Sequence, residues 1–191
     1  MRKYTVLPVR FSTIAEDEEK VKKILEKEYD KLKNLLSKMK GKKELGIKAL
    51  FKEDIIYNDI LEKYEDIKVF KEKVAALSSE KTYHQRIELG KRVEAALQKE
   101  KKIYKQKILN ALSPLAVDVK IRDTYGEQMI VNAAFLVEKY REMTFDQKVN
   151  ELVEKYSAKI KFKYIGTVPP FNFVNLIIDT STSLSVKTGE Y

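Results

Sequence analysis

The chain has 191 residues, 43% of them hydrophobic and 35% charged, and a net charge of +9. That length suffices for one large or two small domains with a core burying roughly 70% of the unfolded surface. The absence of cysteine excludes disulfides, thiolate metal sites and a cysteine nucleophile, and a single histidine, His84, excludes catalysis on a histidine pair and zinc held by a His/Cys cluster.

In chain order, Tyr4 to Phe11 reads as a short strand interrupted by Pro8, which has no N–H to give to a ladder. Ser12 and Thr13 follow as turn residues, and Asp17, Glu18 and Glu19 place negative charge at the positive end of a helix dipole. Val21, Ile24, Leu25, Tyr29, Leu32, Leu35, Leu36 and Met39 then line one helical face, and Gly41 ends the helix. Leu45, Ile47 and Ala49 alternate with polar residues, predicting a strand that returns beside the first. From Asp54 to Ser78 the pattern is helical with a break near Glu65-Asp66. Ser78-Ser79 caps a long helix reaching Leu112, closed by Ser113-Pro114, and its length suggests that it projects or bridges two halves.

Beyond it the periodicity changes. Leu115, Val117, Val119 and Ile121 alternate with polar residues, Asp123 to Gly126 make a hairpin turn, and Met129 to Val137 form the partner strand. Phe145, Val149, Leu152, Val153 and Tyr156 stripe a following helix. Ile160, Phe162 and Tyr164 alternate with Lys159, Lys161 and Lys163 in another strand, which Gly166 and Pro169-Pro170 terminate. Phe171 to Ile178 reads as a last, mostly apolar strand, with Phe171 and Phe173 as core or a docking edge, before a polar tail.

The predicted class is α+β in two small domains. An incomplete ferredoxin-like β-α-β half is followed by long helices and an antiparallel β-β-α-β-β sheet domain. The predicted divisions are 1–52, a helical connector at 53–112, the sheet domain at 113–178 and the tail at 179–191.

The chemistry visible in the sequence is sparse. No glycine pattern makes a phosphate loop or a dinucleotide fingerprint, the carboxylate pairs sit at turns and helix starts, and no cofactor is expected. His84 lies in a helix beside Tyr83 and Arg86, where packing or surface placement outweighs acid–base work. Arg10, on a strand between Val9 and Phe11, is expected to pair with an acid across the sheet. The positive charge can be read as a polyanion surface. The favoured reading is a solvated surface of mixed sign, because most lysines have Glu or Asp within four residues. Lys99, Lys102 and Lys105, spaced by three on the long helix, are the candidate contact patch. No aromatics interleave with them, which disfavours single-stranded nucleic acid. No apolar run approaches about 18 residues and no leader pattern opens the chain, so a soluble, non-secreted protein without membrane contact is expected.

Several motifs carry a resemblance. Gly166 with Pro169-Pro170-Phe171-Asn172-Phe173-Val174 resembles the C-terminal Gly-Pro-Trp-Pro-Pro-aromatic-x-Phe-Val run of the gas vesicle GvpF/GvpL family, with Thr167 and Val168 standing where Pro-Trp is usual. Val6 to Thr13, including Pro8, Arg10 and Phe11, resembles the family's L-P-x-R-F-G-T, with Ser12 for Gly. Gly41 to Lys48, including Gly46, resembles its G-[KR]-x-E-x-G-[VL]-K strand. Tyr83 to Arg86 and Asn132 to Val137 resemble a helix and a strand of its second domain. The family's further N-terminal stretch has no counterpart here, so the first unit is expected to be incomplete, with an unpaired sheet edge that invites self-association.

The resemblance implies a non-enzymatic accessory or minor structural protein of gas vesicle assembly, cytoplasmic and vesicle-associated. Its implied partners are the apolar major shell protein and other accessory proteins, held through the sheet's free edge or the long helix. The motif residues would be mainly structural. The alternative is a basic nucleic-acid-binding module using the long helix.

Overall fold

The computed structural model describes residues 4–9, 13–15, 17–77 and 82–175. The expected strand residues Arg10 and Phe11, the Ser78-Ser79 cap, Leu176 to Ile178 and the tail lie outside the described residues.

Local chemistry sets most element ends. Helix α1, Glu18–Lys27, starts where the Asp17 carboxylate accepts the Lys20 N–H at 2.7 Å, with Glu18 and Glu19 in the first turn. The expected single helix is interrupted at Glu28 and resumes as α2, Tyr29–Met39. Gly41, at φ +73°, supplies the left-handed turn into β1, Lys42–Phe51. Helices α3, Glu53–Lys63, and α4, Glu65–Ala75, are separated at Tyr64, where the break was expected. The long helix α5, Tyr83–Leu112, ends in a 3-10 turn at Ser113–Leu115 that contains Pro114. That turn takes Leu115 out of the predicted strand, so β2 is only Asp118–Ile121. Strand β3, Met129–Glu138, helix α6, Glu142–Tyr156, and strand β4, Ile160–Val168, complete the described fold.

The four strands form one antiparallel sheet in the order β2-β3-β1-β4. With helices between β1 and β2, a hairpin between β2 and β3, and α6 between β3 and β4, this is the split β-α-β arrangement of ferredoxin-like folds. The class is α+β, as expected, but the ferredoxin-like element is built differently. β1 does not return beside a strand at Tyr4–Phe11: both its edges are taken by β3 and β4, and the described residues 4–9 form no strand. The segment expected to close the first unit therefore lies in the middle of the sheet whose other strands come from residues 118–168.

Leu45, Ile47, Ala49 and Phe51 on β1 share a face with Val131, Ala133 and Phe135 on β3 and with Ile160 and Phe162 on β4. Against that face pack Leu97, Ile108 and Leu112 of α5 and Phe145, Val149 and Leu152 of α6, with Ile56 and Ile60 of α3 completing the core. Residues Met129 to Val137 of β3 are all buried, as its central place requires. Helix α5 does not simply project. Its half from Ala96 to Leu112 lies in the core, α4 holds an earlier turn by stacking Phe70 under the Arg92 guanidinium at 4.5 Å, and only the first turns leave Tyr83 and Ile87 exposed.

A second correction concerns the chain after Pro170. Phe171 to Asn175 was expected to be strand, and it is a tight turn: the N–H groups of Phe173 and Val174 donate back to the Pro170 carbonyl, and that of Phe171 to Pro169. The two prolines remove consecutive donors, so the β4 ladder stops at Val168 and the N–H groups of Phe171, Phe173 and Val174 close on the prolines' own carbonyls. Phe171 is 55% exposed rather than core, and Phe173 is half-buried.

Candidate functional site at one end of the sheet

The two segments with the most specific motifs, Gly41 to Lys48 and Gly166 to Val174, meet at one end of the sheet through two carboxylates. Glu44 of β1 is only 4% exposed and accepts from both the Asn172 backbone N–H, at 2.9 Å, and the Asn172 side-chain amide. This fastens the Pro169-to-Phe173 turn onto the strand. The second carboxylate, Glu142 at the start of α6, accepts from the Lys43 ammonium at 2.6 Å and from the Thr167 hydroxyl at 2.9 Å. Thr167 is presented there by a bulge: between the pairs Glu44↔Val168 and Gly46↔Ile165, two β4 residues, Gly166 and Thr167, stand opposite Leu45 alone. Gly46 has a steric reason, because a Cβ there would lie 3.3 Å from the Ile165 Cβ. Gly166 has none of that kind, and its place is the bulge itself.

The hydrogen bond from Lys43 holds the Glu142 carboxyl below the ordinary carboxylate range; burial opposes this, and Thr167 adds to it. A depressed folded-state pKa stabilises the fold above the unfolded value, about 4.3, and that contribution is lost as pH falls through the folded value. Glu142→Gln is therefore expected to cost about 2 kcal/mol at pH 7, and the gap to the parent chain should close as urea titrations move from pH 7 towards pH 3. A gap independent of pH would refute the linkage.

Beside these clamps lies a cleft of about 570 Å³ lined by Tyr4, Thr5, Val6, Met39, Gly41, Lys42, Lys43, Lys139 and Thr167 through Pro170. Pro8, the one described residue of the front motif's Pro-Arg-Phe set, is half-buried in the same N-terminal segment.

The lysine patch on α5 is less coherent than its spacing suggests. Lys99 lies over the Tyr64 ring at 5.4 Å, Lys102 is exposed and Lys105 half-buried. Beneath them Glu100, almost fully buried, accepts from Lys63 at 2.5 Å and from the Tyr64 hydroxyl at 2.8 Å. Burial, followed by the bond to Glu100, pushes the Tyr64 hydroxyl up to about 12. Burial would raise Glu100, but its bonds from Lys63 and Tyr64 prevail and hold it below the ordinary range. Together with the ion pair between Lys159 and Asp59, Lys63 and Glu100 ring a crevice of about 240 Å³, and these groups satisfy one another. Among the described residues, no group of three or more His, Cys, Asp or Glu is arranged to hold a metal.

Sequence reading did not find the Glu44 and Glu142 clamps. The signal available was Lys43-Glu44, two adjacent charges in a strand whose other alternate positions are apolar; a strand that hides both must pair each with a partner from elsewhere.

The profile of the gas vesicle synthesis protein GvpL/GvpF family matches residues 1–175. The chain belongs to this family. Its relatives include gas vesicle protein F of Nostoc sp., 27% identical over 175 residues, which cover 90% of this chain and 70% of that one, and gas vesicle protein F of Dolichospermum flosaquae, 26% identical over 174 residues, covering 90% and 69%. The crystal structure of GvpF from Anabaena sp. superposes with a TM-score of 0.78 at 25% identity, covering 91% of this chain and 70% of that one. That of GvpF from Microcystis aeruginosa gives 0.70 at 25% identity, covering 90% and 71%. Membership supports a role with gas vesicles, and the α+β fold is that of the GvpF structures. Among the described residues, no helix of this family member is long and apolar enough to cross a membrane.

Proposed function

We propose that the chain is a non-enzymatic accessory protein of gas vesicle assembly, working in the cytoplasm at the vesicle, which holds the apolar shell protein and other accessory proteins. The observation that carries this reading is the exposed apolar face of α1 and α2. Helix α1 buries none of its residues, yet Val21, Leu25, Tyr29 and Leu36 are exposed along the two helices. A helix that spends apolar residues on one face without burying them is suited to an apolar partner. This adds a surface to the two expected from the sequence. Of those, the β2 edge is four residues long and carries Asp118 and Lys120, which suits a protected edge better than a template for another strand.

The test is binding of the purified chain to solubilised major shell protein, with random-sequence single-stranded DNA in parallel, at low and moderate salt. Saturable, salt-tolerant binding to the shell protein is expected, because apolar association survives salt that dissolves a polyanion complex. The double substitution Leu25→Asp with Leu36→Asp is expected to weaken it by about tenfold or more without unfolding the chain, since both side chains are exposed. Salt-sensitive DNA binding without shell-protein binding would refute the proposal.

A further inference from the structure

We infer that the cleft at the sheet end is a peptide-binding site for a short acidic, apolar segment of a partner protein, one that sets a carboxylate beside an aliphatic side chain. This does not rest on the shell-protein contact, which uses α1 and α2.

Three observations lead there. The first is shape: at about 570 Å³ the cleft falls within the range of about 300–1,000 Å³ usual for ligand sites. The second is its lining, in which Val6, Met39, Val168, Pro169 and Pro170 provide apolar surface while Lys42, Lys43 and Lys139 are the charged members and no carboxylate takes part. The third is how little of that positive charge is already paired. Lys43 is matched by Glu142. Lys42 turns its ammonium onto the Lys38 carbonyl at 2.5 Å, which satisfies a proton without neutralising the charge. Lys139 makes no ion pair among the described residues, acting on Glu142 only through space.

These features select the ligand class. A wholly apolar segment would desolvate Lys139 and Lys42 with nothing in return, and a small inorganic anion would leave the proline and valine surface wet. An extended peptide with an acidic and an aliphatic side chain uses both. Tyr140 and Met143, which follow Lys139 in the chain, are both about three-quarters exposed, apolar surface that a polypeptide running past Lys139 would also cover. The walls are also held in place. Lys43–Glu142–Thr167 and Glu44–Asn172 fix two of them, so little ordering is required on binding.

The experiment is fluorescence polarisation with amidated, fluorescein-labelled hexapeptides and the full chain. The probe is Gly-Leu-Glu-Val-Asp-Leu. One comparison peptide replaces Glu and Asp by Gln and Asn, and the other keeps the acids but replaces the aliphatic residues by serine. Saturable binding of the probe is expected, with both comparison peptides about tenfold weaker or worse. Lys139→Glu should weaken the probe by about tenfold or more, and Lys161→Glu, at an exposed β4 position that does not line the cleft, should leave it unchanged. Lys139 is exposed, so its substitution is expected to keep the fold, which an unchanged circular dichroism melt would verify; Val168→Asp gives a second, apolar arm. Absence of saturable binding, equal binding of either comparison peptide, or equal weakening by Lys161→Glu would overturn the inference. If Leu25→Asp abolished shell-protein binding and left the probe's affinity intact, the two sites would be independent, as proposed.

Discussion

Replacing Asn172 with alanine is expected to lower the unfolding free energy by about 3 kcal/mol and to loosen the Pro169-to-Phe173 turn on the sheet. The side-chain amide bond to the Glu44 carboxylate is lost, and a hydrogen bond to a charged group contributes about 1.5–3 kcal/mol. The backbone N–H of residue 172 still donates to the other Glu44 oxygen, so the carboxylate keeps one partner. What makes the residual cost large is Glu44 itself: at 4% exposure its carboxylate has almost no water to replace the lost amide. Urea unfolding measures the energy, and limited proteolysis after Val168 reports the turn. The double change Glu44→Gln with Asn172→Ala should cost less than the two single changes together, because the stranded charge is gone. A loss under about 1 kcal/mol for Asn172→Ala would mean that the turn is held mainly by its own proline-capped geometry.

Phe135→Ala should cost more, about 4 kcal/mol. The ring is fully buried on β3, in register with Leu45 of β1 and Val119 of β2, and its centroid lies 5.2 Å from that of Phe145 on α6. Removing it opens a cavity where the central strand meets the helix layer, and neither a central strand nor a helix fixed by Val149 and Leu152 can collapse into the space. For a chain of this size the midpoint of thermal unfolding should fall by about 8–16 °C. Probe-peptide affinity measured well below that midpoint should be unchanged, because Phe135 does not line the cleft. A shift of only a few degrees would show that the core relaxes around the gap.

Periodicity and punctuation were enough to place most elements. The alternation at Ile160, Phe162 and Tyr164, the stripe of α6 and the proline after Leu112 each act through neighbours in the chain, so β4, α6 and the end of α5 stand where these signals put them. The order of the ungapped motifs was likewise local information, and it was sufficient to identify the family. Phe171 to Asn175 was misread because β-propensity describes a fit to a pleated surface, and here the consecutive prolines and the Glu44 carboxylate decide the backbone instead.

What the sequence alone determined is thus the class, most of the elements and the family, which depend on residues within a few positions of one another. Tertiary structure decided which strands pair, and no local signal could do so: β1 carries the same alternation whether it lies beside residues 4–9 or between β3 and β4. It also decided the site. Glu44 meets Asn172 across 128 positions and Lys43 meets Glu142 across 99. Each charge is costly to bury alone and stable only when the fold delivers its partner, so the function of these residues exists only once the sheet has closed.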